Sequence, residues 1–276
     1  SFFKIRKDFS KEFSKYKNST SIETIYEYMR FGGMPLAVLK PVDQKKEYLK
    51  SLFETTYFKD ILEHNNLKRS ELLDSLCNII SEETGQLFNS TKIANIYKTV
   101  TKNNIDKETV EQYINYFIDS FIIKETTRFD IKGNEEIGAL RKYYFVDNGL
   151  RNARINFAFE DEGQMLENMV YNELTYNGYS VNVGTFDKNE KDKNGKSIRK
   201  TYEIDFIAKK NSKKYYIQVC ADLSSKEVKN REIRPFKAIN DSFQKIIVLN
   251  KPIEESYDEN GIVIIGISDF LLKFIK

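Results

Sequence analysis

The spacing of apolar and polar positions predicts a helical first part of the chain. Residues 43–64 carry apolar side chains at roughly helical spacing, as expected for a helix with one buried face. A shorter helix is expected over residues 21–29, ending at the breaker Gly32-Gly33-Met34-Pro35. His64 falls at the end of the longer helix, where we expect a surface position near the negative end of the helix dipole.

Three more helices and a two-stranded ribbon are predicted after this part. The first helix covers residues 70–83, the second begins at Asn89 and the third at Asp106, because both residue types favour N-cap positions. Extended runs at 121–128 and 140–146 follow. This order is typical of a winged helix-turn-helix module.

From Gly163 onward the pattern changes to alternating helices and strands. A very polar segment, residues 187–200, is expected to be a loop. The predicted elements are a helix at 163–177, a strand at 180–186, a hairpin at 202–221, a helix at 224–239, strands at 243–250 and 261–267, and a short helix at 269–275.

The hairpin carries the most informative side chains. Strand residues alternate between faces, which predicts one apolar face and a second face with Glu203, Asp205 and Gln218. With the turn near Asn211, Asp205 and Gln218 should lie opposite each other. The apolar face is predicted to contain Tyr202, Ile204, Phe206, Ala208, Tyr215, Ile217 and Val219.

Composition limits the classes of function. The chain has 276 residues, which suggests about two domains, and its net charge of +3 gives no strong global attraction to nucleic acid or membranes. Two distant cysteines, Cys77 and Cys220, indicate a reducing compartment, so we expect a cytoplasmic protein. With His64 as the one histidine, we do not expect a His-rich zinc site or a Ser-His-Asp triad elsewhere in the chain. We find neither a signal peptide nor an apolar run of the roughly 20 residues that span a bilayer.

Glu167 is a third candidate residue, placed beside the apolar stripe of the helix before the sheet. Together, Glu167, Asp205 and Gln218 resemble the active-site layout of the PD-(D/E)xK restriction-endonuclease-like superfamily. The resemblance implies a site in which these three residues hold Mg²⁺ or Mn²⁺, and a metal that polarises a phosphate and activates water. Glu203 is a further candidate for the same site.

The chain departs from that superfamily at one pair. Gln218 and Cys220 stand where the family has an acid and a lysine. An amide adds no charge to a metal site, and a thiol cannot act as an ammonium group. We therefore expect a degenerate, non-cleaving domain, with Lys226 and Lys229 as the lysines that could substitute in an active one.

Six motifs occur in chain order, at 30–35, 57–61, 142–152, 166–168, 203–206 and 217–219. With these motifs in this order, the chain looks like the C-terminal region of a family of prokaryotic AAA-type ATPases whose final domain is of unknown function. The resemblance implies an ATPase domain before Ser1, and no phosphate-binding P-loop occurs in the chain itself. ATP would thus be bound only by a domain absent from this chain.

The surface charges of the winged-helix-like module bear on whether it contacts nucleic acid. The third helix turns Glu108, Glu111 and Asp119 outward with few cations, which is unfavourable next to phosphates. For this module we therefore favour a protein partner over sequence-specific recognition of DNA. The ribbon offers four residues for backbone contact, namely Arg128, Lys132, Arg141 and Lys142.

The sequence thus predicts a helical segment (1–66), a winged-helix-like module (67–155) and a restriction-endonuclease-like α/β domain (156–276). We expect a non-catalytic binding or regulatory part of an AAA-type ATPase, which contacts DNA or a protein partner and in the full-length protein forms a homo-oligomer. One alternative is a Mg²⁺- or Mn²⁺-dependent DNA phosphodiesterase using Glu167, Asp205 and Gln218. Another is an inert structural adaptor.

Overall fold

The structure is a computed structural model that describes residues 22–68, 70–158, 161–191 and 195–275. It has a mixed α/β fold in which helices come first and a large mixed sheet follows. The chain divides into two compact units, the first formed by the described residues up to Glu125 with Ala139–Asn172, the second by Thr126–Gly138 with the chain from Glu173 onward. The three segments expected from sequence, at 1–66, 67–155 and 156–276, stay a prediction, and residues 1–21 lie outside the described residues.

The first unit begins with helices α1 (Ile22–Phe31), α2 (Pro35–Leu39) and α3 (Val42–Leu52). Helix α3 continues through a π-helical stretch (Phe53–Phe58) into α4 (Lys59–His64), so the long helix expected there is present. The wider π-helical turn brings residues five apart toward one face. Phe53 and Phe58 are accordingly both buried, with ring centroids 6.2 Å apart.

The next three helices are α5 (Glu71–Glu82), α6 (Ser90–Thr101) and α7 (Lys107–Asp119). Helices α6 and α7 begin at the expected caps, because the side chains of Asn89 and Asp106 accept backbone N–H groups at 2.9 and 2.7 Å. Phe121 does not continue the apolar stripe of α7. It follows the helix with φ 54° and is 75% exposed.

Two long strands and two helices complete this unit. They are β1 (Ile123–Asp130), β2 (Glu135–Phe145), α8 (Asn148–Arg154) and α9 (Glu162–Tyr176), of which β1, β2 and α9 extend into the second unit. One apolar cluster joins residues from α1 through α8, including Leu49, Phe88, Ile114 and Leu150. This cluster is the core of the first unit.

The second unit is built on the eight-stranded sheet, with strand order β2-β1-β3-β4-β5-β6-β8-β7. The β3–β4 and β4–β5 pairs are antiparallel, whereas β5, β6 and β8 run parallel. The remaining elements are β3 (Ser180–Lys191), β4 (Ser197–Lys210), β5 (Lys213–Cys220), α10 (Lys226–Lys237), β6 (Gln244–Leu249), β7 (Ser256–Tyr257), β8 (Val263–Gly266) and α11 (Ile267–Asp269), followed by a π-helical turn (Phe270–Phe274).

The polar segment 187–200 was expected to be a loop, and the described part of it is mostly strand. Strands β3 and β4 pair as far as Lys191 and Ser197, and residues 192–194 lie outside the described residues. Cross-strand polar contacts replace apolar packing here. Arg199 Nε and Thr201 Oγ1 both donate to the Asp187 carboxylate, at 2.8 and 2.6 Å.

The expected division of β4 and β5 into one apolar and one polar face is wrong. Between Asn182 and Gly184 of β3 the register shifts, so β4 contains an extra residue at Asp205–Phe206. The shift puts Tyr202 and Ile204 in the same core cluster as Ile207, Tyr216 and Ile233, and Phe206 is not part of that cluster. Since α10 covers the face that carries Gln218, both faces of the hairpin are buried.

Candidate functional site

Asp205 and Gln218 lie next to each other, as the sequence predicts. The regular backbone pairing of β4 and β5 ends at the pair Phe206–Ile217, which is adjacent to Asp205 and Gln218. At Asp205 and Gln218, side chains make the contacts between the two strands. The Asp205 carboxylate accepts the backbone N–H of Val219 at 2.8 Å, and the Gln218 amide oxygen accepts the backbone N–H of Asp205 at 3.2 Å.

Glu232 is a member of this group that sequence reasoning missed. The Gln218 amide donates to the Glu232 carboxylate at 3.0 Å, and both residues are buried. Arg231 Nε donates to the other oxygen of Glu232, also at 3.0 Å. The signal in the sequence is the position of Glu232 beside Ile233 on α10, which puts a carboxylate at the edge of the stripe that packs on the sheet.

A cleft of about 550 Å³ opens over these residues. Its walls carry the carboxylates of Glu203, Glu227 and Glu232 beside cations. Its remaining lining is Lys200, Thr201, Tyr202, Gln218, Asn230, Arg231, Arg234 and Pro235. The cleft can therefore offer both acidic and basic contacts to a polar ligand.

Ion pairs and hydrogen bonds already join many of the charged groups near this cleft. Arg234 contacts the Glu190 carboxylate, and the Tyr202 hydroxyl donates to the same residue. The guanidinium of Arg234 also lies 5.6 Å from the centre of the Tyr202 ring. These contacts fix the orientation of the wall that faces Glu203 and Gln218.

Glu167 belongs to the first unit, whereas Asp205 and Gln218 belong to the second. Within the first unit its carboxylate accepts a hydrogen bond from the Tyr144 hydroxyl at 2.6 Å and one from Lys142 Nζ at 2.9 Å. The Lys142 side chain is only 4% exposed and that of Glu167 16%, so the pair is largely buried. That all three candidate residues share one site stays a prediction.

The donor set for a metal is restricted. Among residues 22–68, 70–158, 161–191 and 195–275, no three His, Cys, Asp or Glu side chains are grouped so that they could hold a metal ion. Asp205 with Gln218 supplies one carboxylate and one amide, which is the lower end of the one or two carboxylates that usually bind Mg²⁺ in proteins. Mg²⁺ or Mn²⁺ binding by Glu167, Asp205 and Gln218 remains a prediction.

Cys220 is the residue that the sequence places where the resemblance to PD-(D/E)xK sites implies a lysine. The thiol is buried and donates to the Asp222 carbonyl at 3.0 Å. Burial raises its pKa, and the nearby Glu232 charge raises it further. The thiol is therefore neutral at physiological pH.

The four residues expected at a nucleic-acid backbone have different surroundings. Arg141 forms an ion pair with Glu125, and Lys132 donates to the Asp187 carbonyl while its ammonium lies 5.4 Å from the Phe186 ring centre. Lys142 is buried against Glu167, so its ammonium faces the interior. Arg128 is half-buried, with a guanidinium nitrogen at the space that a Cβ on Gly138 would occupy.

A buried polar network in the first unit was also missed. Residues 147–152 are all buried, and four of them bind backbone or side-chain groups of distant segments. Asp147 accepts the Gly33 N–H at 2.6 Å, Asn148 donates to Met29 and Met165 carbonyls, and Asn152 donates to the Arg30 carbonyl. Arg151 donates to the Ser81 carbonyl at 2.8 Å. The motifs at 30–35 and 142–152 thus have a structural role in holding one unit together.

No helix in the described part of the chain combines the length and apolar composition needed to cross a membrane. Cys77 and Cys220 are both free thiols.

Comparisons with known proteins identify relatives without an assigned activity. Residues 22–161 match the model of a family described as a domain of unknown function (DUF8612). An uncharacterized protein of Haemophilus influenzae is 30% identical over 270 residues, which cover 95% of this chain and 62% of that protein. An uncharacterized protein of Methanocaldococcus jannaschii is 29% identical over 233 residues, covering 84% of this chain and 49% of the relative. The chain thus spans about half to two thirds of the length of these relatives.

A solved structure, that of protein VC1899 from Vibrio cholerae, aligns with 74% of this chain and 54% of that one. The TM-score is 0.25 and the sequence identity 11%, values too low to establish a shared fold.

Proposed function

The chain belongs to the DUF8612 family of domains of unknown function, and we propose that it is a non-catalytic binding and regulatory part of an AAA-type ATPase. In this proposal residues 67–155 form a winged-helix-like module, and residues 156–276 form a degenerate restriction-endonuclease-like domain. The partner is DNA or another protein. The chain itself supplies contacts and no bond-breaking step.

One observation carries the non-catalytic assignment. The Gln218 amide bridges the backbone of Asp205 and the carboxylate of Glu232, at 3.2 and 3.0 Å. Asp205 in turn accepts the Val219 N–H. A metal-dependent nuclease needs these oxygen atoms directed at a cation, whereas here they join two strands and a helix.

Cys220, which stands where the resemblance implies a lysine, supports the same proposal. Phosphoryl chemistry requires positive charge near the scissile phosphate. The Cys220 thiol is neutral and bound to a carbonyl group. Arg231, which lines the cleft, is paired with Glu232.

The first unit supports a protein contact better than DNA reading. Helices α5, α6 and α7 followed by β1 and β2 have the element order of a winged helix. The exposed face of α7 carries Glu108, Glu111 and Asp119. Carboxylates repel phosphates, which carry the same sign of charge. The partner of this helix is therefore better explained as a protein than as a nucleic acid.

The length of the relatives is compatible with an ATPase domain outside this chain. Aligned residues make up 62% and 49% of two of them, which leaves a large additional segment in each. In the proposal, that segment binds ATP and controls when the binding surfaces of this chain engage.

The cleft gives specific support to one alternative, a Mg²⁺- or Mn²⁺-dependent DNA phosphodiesterase. Glu203 and Glu232 line it together with Gln218, so the cleft wall that contains Gln218 also contains carboxylates. A cation that displaced the Gln218–Glu232 hydrogen bond would meet acidic ligands there.

The experiment that separates the two functions is a cleavage assay. The 276-residue chain is incubated with plasmid and linear DNA in the presence of Mg²⁺ or Mn²⁺. We expect no cleavage with either metal. Cleavage that Asp205→Ala abolishes, and that the exposed-acid control Glu259→Ala retains, would overturn the proposal in favour of the nuclease.

A further inference from the structure

The tip of the β4–β5 hairpin concentrates positive charge on two interior strands. Lys209 and Lys210 end β4, Lys213 and Lys214 begin β5, and only Asn211 and Ser212 separate them. The cross-strand pairs are Lys209 with Lys214 and Lys210 with Lys213. Successive pairs point to opposite faces, so each face of the tip carries two ammonium groups.

This arrangement is unfavourable for the isolated chain. Like charges directly opposite each other on neighbouring strands destabilise a sheet. In the described part of the second unit, Arg199, Arg234 and Lys251 each pair with an acid. Among the described ion pairs none includes a lysine of the tip. In the described residues, acids act on the tip only at longer range: Asp241 acts on Lys214, and Glu254, Glu255 and Asp269 line a pocket together with Lys213.

Protection of a sheet edge does not explain the lysines. Edge strands often carry lysine because it discourages pairing with other molecules. Here β4 lies between β3 and β5, and β5 lies between β4 and β6. Both strands are thus interior to the sheet, and only their tip projects past the neighbouring strands, because pairing with β3 ends at Lys209 and pairing with β6 begins at Tyr215.

Aromatic rings surround the lysines on one face. Lys209 Nζ lies 4.1 Å from the ring centre of Phe129, and Lys214 Nζ lies 4.6 Å from that of Phe243. Phe243 is 42% exposed, and its ring packs edge-on against Tyr216. The rings hold the ammonium groups by cation–π contact, and Phe243 offers an accessible aromatic surface beside them.

We propose that this lysine hairpin, residues 209–214 with Phe243, is a binding site for the phosphate backbone of nucleic acid. Lysine ammonium groups are point charges that suit phosphates without reading sequence. An exposed ring beside them is a surface on which an unpaired base can stack. A bilayer is less suitable, because the turn residues are Asn211 and Ser212 and offer no apolar group for insertion. Partial burial lowers the pKa of Lys214 and the Lys209 charge lowers it further, against the opposing effect of Asp241, which agrees with an ammonium group that gains from an added anion.

The inference deepens the binding function proposed above, on which it rests, by naming the partner and the site. It does not involve the cleft, α7 or the four ribbon residues. It can therefore fail while a protein partner for the chain is still found.

The test is fluorescence anisotropy of labelled single- and double-stranded DNA with the full chain, between about 50 and 200 mM salt. The variant Lys210→Gln/Lys213→Gln removes one face of the tip, and Lys209→Gln/Lys214→Gln removes the other. For each double variant we expect a higher Kd and a salt slope smaller by about 2 in magnitude. The control Lys50→Gln/Lys59→Gln removes the same charge from helix lysines that pair with nearby acids and should keep the wild-type Kd and slope.

Unfolding provides an independent readout. Because Lys210→Gln/Lys213→Gln removes a like-charge pair, its thermal midpoint should be equal to or above that of wild type. Weaker binding with unchanged or higher stability supports the proposal. The proposal would be overturned if the wild-type chain bound neither single- nor double-stranded DNA. It would also be overturned if the tip variants bound DNA with the same Kd as the control variant. Tighter wild-type binding to phosphatidylserine vesicles or to poly-glutamate than to DNA would also overturn it, in favour of a lipid or an acidic protein.

Discussion

The carboxylate of Asp147 accepts a hydrogen bond from the backbone N–H of Gly33 at 2.6 Å, although 114 positions separate the two residues in sequence. The same side chain caps α8 by accepting the Leu150 N–H. A Cβ on Gly32 would lie 2.0 Å from Asp147 Oδ1, and Gly32 has φ 69°. The Gly-Gly turn and the start of α8 therefore form one joint inside the first unit.

This joint predicts that stability falls as the pH rises through the mildly acidic range. Burial raises the pKa of Asp147 to about 6, against the opposing hydrogen bonds from Gly33 and Leu150. The folded state therefore holds this proton more tightly than the unfolded chain, where the group titrates near 3.8. The stabilisation is complete below the pKa that Asp147 has in the unfolded chain, and it is lost as the pH rises through the pKa that Asp147 has in the folded state. The difference between these two pKa values corresponds to about 3 kcal/mol of unfolding free energy.

Urea unfolding between about pH 4 and pH 7 measures the effect. Asp147→Asn stays neutral at every pH in this range, so it should remove the decline. The exposed-acid variant Asp43→Asn should keep the wild-type slope. An Asp147→Asn variant with an unchanged slope would contradict the assignment.

Gly149 makes the closest backbone approach in the same joint. A Cβ there would lie 2.1 Å from the Phe31 carbonyl oxygen, a backbone atom that cannot rotate away. Gly149→Ala should therefore lower the unfolding free energy by at least about 2 kcal/mol. The matched control is Gly163→Ala in α9, where the nearest atom is Asp161 Oδ1 at 3.2 Å; it should not destabilise, because alanine favours a helix more than glycine does. Equal stability of the two variants would sink this prediction.

Local signals in the sequence were sufficient for the longer helices and for the Asp205–Gln218 pair, but the short helices α2 and α8 were missed. The caps at Asn89 and Asp106 and the position of the turn at Asn211 depend on a few neighbouring residues. The bulge at Asp205–Phe206 was missed, because nothing in the alternation of β4 alone reports the register of β3. The pairing of Lys142 with Glu167 was missed for the same reason, since a charged residue on a strand looks exposed until its partner helix is known.

Glu167 is expected to act as a structural partner of Lys142. Removing one member of a buried ion pair leaves an uncompensated charge, so Lys142→Met should cost about 3–5 kcal/mol of unfolding free energy. The double variant Lys142→Met/Glu167→Gln should lose less than the sum of the two single changes, with a coupling of about 1–3 kcal/mol. Denaturant unfolding of the four proteins gives this value. Strict additivity would show that the contact adds nothing to stability.

Gln218→Glu tests whether one amide separates the cleft from a metal site. The change removes the donor to Glu232 and places a second carboxylate beside a buried one. Repulsion and the lost hydrogen bond should lower the unfolding free energy by about 2–3 kcal/mol near neutral pH. Part of this loss should return toward about pH 5, because one proton shared between the two acids removes the repulsion. A divalent cation can do the same, so Mn²⁺ should raise the thermal midpoint of this variant more than that of wild type. The exposed control Gln44→Glu should respond to neither pH nor Mn²⁺ beyond wild type. If Mn²⁺ stabilises wild type and variant equally, the amide is not what keeps a metal out of the cleft.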